Sequence, residues 1–241
     1  MIGPYALVCL DMAGTTVCDD GAVEEAFEAA LESVGIHRGS TDFAEARTFV
    51  HETMGWSKAD VFASLLGTAD AVRATKEFAV TYEAIVARGE VRAMPGAAGV
   101  LKDLRAQDVR ICLTTGFAPS TRDAVITALG WSGTIDLALS PADVGRGRPA
   151  PDMILAAMDR LHVSDAAAVA VVGDTVSDLE AGFRAGVGAV IGVLSGAHSA
   201  ATLSAAPHSA ILSDVTGLIG ELKSTGAGPR QPSPRAGPGP D

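Results

Sequence analysis

The chain has 241 residues, of which 48% are hydrophobic, and it carries a formal net charge of −11 at pH 7. This length is enough for one large α/β domain, or for a domain that carries a smaller insert. The acidic balance argues against a nucleic-acid-binding function, because contacts with a phosphate backbone need clustered Lys and Arg. We therefore expect a small-molecule partner.

Targeting signals and cysteines indicate the compartment. No apolar run approaches the roughly 18 residues needed to span a bilayer, and the N-terminus lacks the basic-then-apolar pattern of a signal peptide. We expect a cytosolic protein with no membrane contact. Cys9, Cys18 and Cys112 have no CxxC spacing, and the first and last of them lie in apolar runs, as small buried thiols do.

Five apolar runs have the length of β-strands, and helix-like stretches separate most of them. In chain order the runs are Tyr5–Leu10, Val109–Thr114, Ile135–Leu139, Ala168–Val172 and Ala189–Leu194. This alternation predicts an α/β fold with a doubly wound parallel sheet and helices on both faces. The near-continuous apolarity of AVAVV and AVIGVL fits strands that are covered on both sides.

The interval between the first two runs, roughly Val17 to Met94, is too long for a simple crossover, and we find only helical patterns in it. The patterns are EEAFEAALESVGI, FAEARTFVHETM, SKADVFASLL and AVRATKEFAVTYEAIVARG. We interpret this interval as an all-helical insert, with hinges near Val17–Ala22 and Val91–Gly96, that forms a lid over the strand ends.

The expected organisation has three parts. Residues 1–17 and 95–223 form the core domain around the sheet, and residues 18–94 form the helical cap domain. The remaining residues, 224–241, are rich in Pro and Gly with almost nothing to bury. We expect this tail to be disordered.

Polar signals follow four of the five runs, at the point where each strand would end. They are Asp11, Thr114–Thr115–Gly116, Arg148, and the pair Asp174 and Asp178. Ligands of open parallel sheets bind at the carboxyl ends of the strands. One carboxylate there would be explained as the cap of a turn, but four signals in register indicate a binding site.

The residue types at these strand ends indicate phosphoryl chemistry. Carboxylates from separate strands, Asp11 and Asp174, would repel each other unless a cation lay between them, and hard oxygen ligands suit Mg²⁺. The backbone carbonyl of Ala13 is a candidate third ligand. Hydroxyl and N–H groups at Thr115–Gly116, together with the Arg148 guanidinium, complement a tetrahedral phosphoryl group.

The same segments resemble a known family. DMAGTT, LTTG, GRGRP and GDTVSD resemble the ordered motifs of the haloacid dehalogenase superfamily over about residues 5–195. The DxAGT form, with Arg where many members have Lys, resembles the phosphonoacetaldehyde hydrolase (phosphonatase) branch. The resemblance implies a Rossmann-like core, with Asp11 as a nucleophile that forms an aspartyl-phosphate, Asp174 as a Mg²⁺ ligand and Asp178 as an acid that orients metal-bound water.

Ala13 bears on the reaction. In the superfamily's phosphatases the residue two after the nucleophile is typically a second Asp, which protonates a leaving alkoxide; losing such an acid typically costs about 10²–10⁴-fold in rate. Cleavage of a P–C bond poses another problem, because the leaving carbanion departs only if a neighbouring carbonyl has become a protonated imine. Imine formation requires a lysine that is partly deprotonated in a desolvated or positively biased pocket.

Lys58 is the candidate for this lysine. The spacing of Met54, Gly55 and Lys58 in TMGWSKADVF resembles the phosphonatase segment that carries the Schiff-base lysine. The plain alternatives are that Lys58 solvates the first turn of a helix and that Met54 is core instead of a substrate contact. The presence of Ala13 and Arg148 in the same chain favours the functional interpretation of Lys58.

Three positions depart from the phosphonatase pattern. Val61 stands where that family has a histidine, Phe117 replaces a tyrosine, and Gly21 replaces a cysteine that faces the cap. Each change removes a polar group from the expected pocket, which favours a relative of phosphonoacetaldehyde as the substrate. His51, seven residues before Lys58, is a candidate replacement for the missing base, with a solvated helix face as the plain alternative.

The expected function is hydrolysis of the P–C bond of phosphonoacetaldehyde or a close carbonyl phosphonate, with Mg²⁺ as cofactor. Lys58 would form the imine, Asp11 would attack phosphorus, and water held near Asp178 would release phosphate. One alternative is a phosphatase of the same superfamily that acts on a small phosphate monoester, with Lys58 binding an anion. Another is a non-catalytic binding protein with this fold. We also expect that exposed apolar residues of AFEAALESVGI could mediate a homodimer through the cap.

Overall fold

The computed structural model describes residues 2–18 and 20–225. The strands, in chain order, are β1 (Leu7–Asp11), β2 (Val17–Cys18), β3 (Arg92–Ala93), β4 (Arg110–Thr114), β5 (Leu137–Leu139), β6 (Val169–Gly173), β7 (Ala189–Val193) and β8 (Ala210–Leu212). The α-helices are α1 (Ala22–Ser33), α2 (Thr41–Glu52), α3 (Lys58–Leu65), α4 (Thr68–Ala87), α5 (Ala97–Arg105), α6 (Pro119–Ala128), α7 (Asp152–Arg160), α8 (Val176–Ala185), α9 (Ala200–Ser204) and α10 (Leu218–Thr225).

Six of the strands form one parallel sheet in the order β5–β4–β1–β6–β7–β8. β1 lies between β4 and β6, with Asp11 opposite Thr114 on one side and Leu10 opposite Val172 on the other. The chain first builds outward through β4 and β5 and then reverses through β6, β7 and β8. The carboxyl ends of β1, β4 and β6 therefore lie side by side where the strand order reverses, which is where open α/β sheets bind ligands.

Apolar clusters bury both faces of the sheet. Successive side chains of a strand point to opposite faces, so each strand contributes residues to both clusters. In β1, Val8 and Leu10 belong to one hydrophobic cluster, and Leu7 and Cys9 belong to the other. The first cluster includes apolar residues of α5, α6 and α10, and the second includes those of α7 and α8. Cys9 and Cys112 are buried free thiols, as the sequence predicts.

The five predicted strands are confirmed, and the sheet has one strand that the sequence analysis did not predict. β8 is three residues long, its residues are half-buried, and among the described residues it pairs with β7 alone, at the sheet edge. Its apolar run, Ala210–Leu212, stands between Ser209 and Ser213 and is too short to predict a strand, so its position depends on the pairing with β7.

Four helices, α1 to α4, lie between β2 and β3 along the chain, as the sequence predicts for the insert. The expectation that no strand interrupts this interval was wrong at its two ends. β2 and β3 pair antiparallel there, with Val17 opposite Ala93 and Cys18 opposite Arg92. Two residues carry no recognisable strand pattern, and the pairing exists only because the two ends of the insert meet in space.

Aromatic rings form the interior of the insert. The ring centroid of Phe27 lies 4.9 Å from that of Phe78 and 5.3 Å from that of Phe62, which joins α1, α3 and α4. Phe27 and Leu31 are buried in this interior. The apolar residues of AFEAALESVGI are therefore not the exposed surface that we expected, and the homodimer stays a prediction without that basis.

The insert contacts the carboxyl end of the sheet through the loop before α3. The backbone N–H of Lys58 donates to the carbonyl of Gly116 (3.1 Å), and the hydroxyl of Ser177 donates to the carbonyl of Met54 (3.3 Å). A Cβ added at Gly116 would lie 2.2 Å from the backbone oxygen of Trp56. Residue 116 must therefore lack a side chain for the loop to approach this closely.

The boundary predicted for the C-terminal tail is two residues too early, because Ser224 and Thr225 form the end of α10. The rest of the predicted tail, residues 226–241, lies outside the described residues. Within residues 2–18 and 20–225, no helix combines the length and the apolarity needed to cross a bilayer.

The close approach at Gly116 gives a prediction about stability. Gly116→Ala should lower the free energy of unfolding by about 1–3 kcal/mol, because the new methyl group overpacks against backbone that cannot rotate away. Gly99→Ala is the matched control, since a Cβ at Gly99 in α5 meets nothing within 4 Å. This control should raise the free energy of unfolding by about 0.5–1 kcal/mol. Urea titration shows whether each substitution lowers or raises the free energy of unfolding. An unchanged or more stable Gly116→Ala protein would contradict the close contact with Trp56.

Candidate active site

The turn after β1 presents Asp11 at the strand end. The backbone N–H groups of Thr16 and Val17 both donate to the carbonyl of Met12 (2.9 and 2.8 Å), and the Thr16 hydroxyl donates to the carbonyl of Asp11 (2.8 Å). Gly14 has φ 86° in this turn, a conformation that favours glycine. These hydrogen bonds hold the turn and leave the Asp11 carboxylate to face the neighbouring strand ends.

Asp174 follows β6 directly and is held by two donors. Its Oδ1 accepts from the Thr15 hydroxyl (3.1 Å) and its Oδ2 from the backbone N–H of Ala197 (2.7 Å). A Cβ at Gly14 would lie 2.5 Å from Asp174 Oδ2, and one at Gly196 would lie 2.0 Å from it. Two glycines therefore let the turn after β1 and the loop after β7 close around this carboxylate.

Asp178 is positioned by the start of α8. Thr175 is the N-cap, and it forms a capping box in which its hydroxyl oxygen accepts from the Asp178 N–H (3.4 Å) and its own N–H donates to Asp178 Oδ2 (3.1 Å). The Thr175 hydroxyl also donates to Asp178 Oδ2 (2.6 Å). The second carboxylate oxygen of Asp178 accepts from Arg148 Nη1. The motif GDTVSD therefore serves two purposes, because Thr175 begins the helix and at the same time fixes Asp178.

Three buried carboxylates meet at this edge of the sheet. Asp11, Asp174 and Asp178 each offer an oxygen, and these oxygens lie within 4.8 Å of one another. Burial, followed by the negative charge of Asp11, raises the pKa of Asp174 to about 7. A hard divalent cation would offset this repulsion, and carboxylate oxygens are the ligands it prefers, so the donor set fits Mg²⁺. Ala13, whose carbonyl the sequence analysis names as a further ligand, lines the same cavity.

Arg148 reaches the carboxylates from the loop between β5 and α7. Its side chain is buried, and Nη1 donates to Asp11 Oδ1 (2.6 Å) as well as to Asp178. In the part of the chain that the structure describes, its Nε has no hydrogen-bond partner. A buried N–H group without a partner is costly, so an acceptor oxygen supplied by a ligand would stabilise this arrangement.

The segment after β4 completes the wall beside Asp11. The Thr115 N–H donates to the carbonyl of Leu139 (3.1 Å), which ties it to the end of β5, and the Thr115 hydroxyl oxygen accepts from the N–H of Phe117 (3.2 Å). The hydroxyl keeps its own proton to donate. Thr115 and Gly116 both line the cavity that contains Asp11.

Lys58 is the first residue of α3 and is buried, with 8% of its surface exposed. Its Nζ lies 5.0 Å from the ring centroid of Phe27 and 5.8 Å from those of Phe78 and Phe117. The alternative that Lys58 solvates a helix turn is therefore wrong. Its side chain turns inward, against the ring faces of the insert and of the segment after β4.

One cavity of about 460 Å³ joins most of the predicted residues. Its walls come from the strand ends on one side and from the insert on the other. The predicted residues that line it are Asp11, Ala13, Met54, Lys58, Thr115, Gly116, Arg148 and Asp174. Asp178 does not line it and is connected to it through Arg148.

The positions that depart from the phosphonatase pattern differ in their surroundings. Val61 is buried in the core, and the Phe117 ring lies 4.6 Å from the Tyr82 ring. Gly21 and His51 both line the large cavity. His51 is exposed and lines the cavity that also contains Lys58. Its part as a replacement base stays a prediction.

The loop after β7, residues 195–198, is a part of the site that the sequence analysis missed. The Ser195 hydroxyl donates to the carbonyl of Gly14 (2.7 Å), and the Ala197 N–H holds Asp174. His198 Nδ1 accepts from the N–H of Val176 (2.9 Å), and burial, followed by the neighbouring His51, lowers the pKa of His198. The segment SGAHS follows the fifth predicted strand, so the strand-end rule applied there would have found it.

Cys18 is a second addition to the cavity wall. Its thiol donates to Asp20 Oδ1 (3.2 Å), and this hydrogen bond, followed by burial, raises the pKa of Cys18. The protonated thiol is therefore the stable form.

Comparisons with known proteins agree with the site. The haloacid dehalogenase-like hydrolase family matches residues 5–186. A phosphonoacetaldehyde hydrolase from Bacteroides fragilis is 36% identical over 90 residues, which are 37% of this chain and 34% of that relative, so the match spans about a third of the relative's length. The probable phosphatase IndB of Dickeya dadantii is 30% identical over 178 residues, covering 72% of this chain and 74% of the relative.

A solved structure extends the likeness to nearly the whole chain. The phosphonoacetaldehyde hydrolase-like protein from Oleispira antarctica superposes with a TM-score of 0.79 at 25% identity, and the match covers 96% of this chain and 97% of that one. The match to the family covers the strand-end residues from Asp11 to Asp178 together with the helical insert between β1 and β4. The chain therefore belongs to the haloacid dehalogenase-like hydrolases.

Proposed function

We propose that this hydrolase cleaves the P–C bond of phosphonoacetaldehyde or a close carbonyl phosphonate, through an imine on Lys58 and a phosphoryl intermediate on Asp11. The observation that carries the proposal is the shared cavity. It is lined by the Asp11 carboxylate and Arg148 on the sheet side and by the buried Lys58 on the insert side. An acid and an amine that face one cavity can act on the two ends of one small molecule.

In this proposal the core domain and the cap bind different ends of the substrate. Residues 1–17 and 95–223 form the core domain that binds the phosphoryl end, and residues 18–94 form the cap that supplies Lys58 and Met54. The Lys58 N–H donates to the carbonyl of Gly116 (3.1 Å), so this hydrogen bond joins the cap to the core domain at the residue that supplies the amine. Closure excludes water, which protects an imine from early hydrolysis.

Each residue has a role in the proposed reaction. The Lys58 amine adds to the carbonyl carbon of the substrate, and loss of water gives a protonated imine. The Asp11 carboxylate then attacks phosphorus, and the electrons of the P–C bond move into the imine to form an enamine. The Thr115 hydroxyl and Arg148 stabilise the charge on the phosphoryl oxygens, and water near Asp178 releases phosphate from Asp11.

A Mg²⁺ ion is part of the proposal. Asp11, Asp174 and the backbone carbonyl of Ala13 would hold it, and its charge would neutralise the phosphoryl oxygens when bound. Ala13 itself supports P–C cleavage over ester hydrolysis, because a methyl group cannot protonate a leaving alkoxide. We also propose a cytosolic location and a small-molecule substrate.

A phosphatase that acts on a small phosphate monoester is the second candidate. The relative that favours it is IndB, whose match covers 74% of that protein's length, more than the match to the Bacteroides fragilis phosphonoacetaldehyde hydrolase covers of that relative. In this alternative Lys58 binds an anionic group of the substrate and forms no covalent bond. The two candidates differ in what they require of the Lys58 nitrogen.

Substitution of Lys58 tests the imine. Lys58→Arg keeps the charge but forms no imine, so phosphate release from phosphonoacetaldehyde should fall by at least about 10³-fold. Lys76→Arg, an exposed position on α4, is the matched control and should keep wild-type activity. Borohydride added with the aldehyde should inactivate the wild type and modify Lys58, as read by peptide mass spectrometry. Retention of most activity by Lys58→Arg would leave the phosphatase as the better candidate.

Substitution of Asp11 separates the two chemical steps. Asp11→Asn should reduce phosphate release by at least about 10⁴-fold, because the amide is a poor nucleophile. Borohydride should still trap the aldehyde on Lys58 in this variant, since imine formation does not need Asp11. If trapping is lost while the circular dichroism spectrum is unchanged, the two residues do not act in separate steps as proposed.

Restoring an acid at position 13 tests the selectivity assigned to Ala13. Ala13→Asp should raise the hydrolysis of an alkyl phosphate monoester such as ethyl phosphate by about 10²-fold, because the new carboxyl group can protonate the leaving alkoxide. The ratio of ester to phosphonate turnover is the measurement. A variant whose ester hydrolysis does not increase, although it still binds Mg²⁺, would show that Ala13 does not limit that reaction.

A further inference from the structure

A second cavity lies against Lys58. It has a volume of about 290 Å³, opens to solvent, and is lined by residues of α3, α4, the segment after β4 and the loop after β5. Among the described residues, this substituent cavity shares Lys58, Gly116 and Phe117 with the large cavity that contains Asp11, and it shares no others. The two spaces therefore adjoin at these three residues.

The Lys58 amine lies close to the wall of the substituent cavity. Its Nζ is 5.8 Å from the ring centroid of Phe117, which lines both cavities, and 5.8 Å from that of Phe78, which lines only the substituent cavity of the two. In the proposed reaction, a carbon bonded to Nζ directs its phosphoryl-bearing arm to Asp11. A second substituent on the same carbon then lies next to the substituent cavity.

The lining of the substituent cavity favours an uncharged, apolar group. Small apolar residues predominate, among them Ala59, Ala79 and Ala142, and the Phe78 ring adds an apolar face. Apart from Lys58, the described lining residues include no basic side chain, whereas Asp60 contributes a carboxylate. An anionic substituent would find no counter-charge there beyond the Lys58 nitrogen itself, and the Asp60 carboxylate would repel it.

We propose that the substituent cavity receives an alkyl group on the carbonyl carbon of the substrate, so that the enzyme accepts short-chain 2-oxoalkylphosphonates. This inference rests on the proposed function. A ketone follows the same steps as an aldehyde: the Lys58 amine adds to the carbonyl, its oxygen leaves as water, and the P–C electrons pass into the iminium as phosphorus transfers to Asp11. Hydrolysis of the enamine and of the aspartyl-phosphate gives a methyl ketone and phosphate, with no oxidant or reductant required.

The test compares chain lengths in the full-length protein with Mg²⁺ present. Phosphate release is measured for phosphonoacetaldehyde, 2-oxopropylphosphonate, 2-oxopentylphosphonate and the carboxylate analogue 3-phosphonopyruvate. We expect kcat/KM to rise about tenfold or more from the propyl to the pentyl compound, because added methylene groups enter an apolar cavity. We expect the carboxylate analogue to react more slowly than either ketone.

Cavity-filling variants locate the effect. Ala79→Phe should abolish the rise from propyl to pentyl, and Ala142→Phe, at an exposed position on the opposite wall, should do the same with little demand on folding. Val80→Phe is the control, because Val80 is 52% exposed on the same helix and does not line the cavity. This control should keep the wild-type ratio.

The outcomes separate the inference from the function on which it rests. If the aldehyde reacts and the ketones do not, or if the pentyl compound is slower than the propyl compound, the substituent cavity does not receive the alkyl group and the proposed function stands. The inference is also overturned if both cavity-filling variants keep the wild-type ratio. If no carbonyl phosphonate releases phosphate, the proposed function and the inference fail together.

Discussion

The mutual repulsion of three buried carboxylates is the constraint on which the site depends. Asp11, Asp174 and Asp178 bring oxygens within 4.8 Å of one another, and buried charges persist only when they are paired and hydrogen-bonded. The Arg148 guanidinium, the backbone N–H of Ala197 and hydroxyl donors supply that pairing. Three carboxylates against one guanidinium leave negative charge that is not balanced, so the arrangement is suited to bind a cation, whose own charge would then attract a phosphoryl anion.

The glycines around these carboxylates allow the backbone to approach them closely. A Cβ at Gly173 would lie 2.2 Å from Asp178 Cγ, and Gly14 and Gly196 pack as closely against Asp174. Backbone from three strand ends thus reaches the acids without an intervening side chain. The insert is positioned in a similar way, because Gly116 allows the loop before Lys58 to rest directly on the segment after β4.

Aromatic rings from three parts of the fold determine where the Lys58 amine lies. Phe27, Phe78 and Phe117 come from α1, α4 and the segment after β4, and their ring centroids lie 5.0 to 5.8 Å from Nζ. The lysine is therefore part of the interior of the insert and at the same time part of the cavity wall. This dual position links the packing of the insert to the chemistry proposed for the site, and it places a second, apolar space next to the amine.

The sequence by itself determined the parallel sheet, the helical insert and the strand-end acids, because apolar runs of strand length and helical periodicity are local patterns, and because carboxyl ends of parallel strands share one edge. Tertiary structure alone decided the pairing of β2 with β3, the place of β8 at the sheet edge and the hydrogen bond by which the Ala197 N–H holds Asp174. It also decided that Lys58 is buried and that the apolar face of α1 packs inside the insert. These features depend on contacts between segments distant along the chain, which no local pattern of residues encodes.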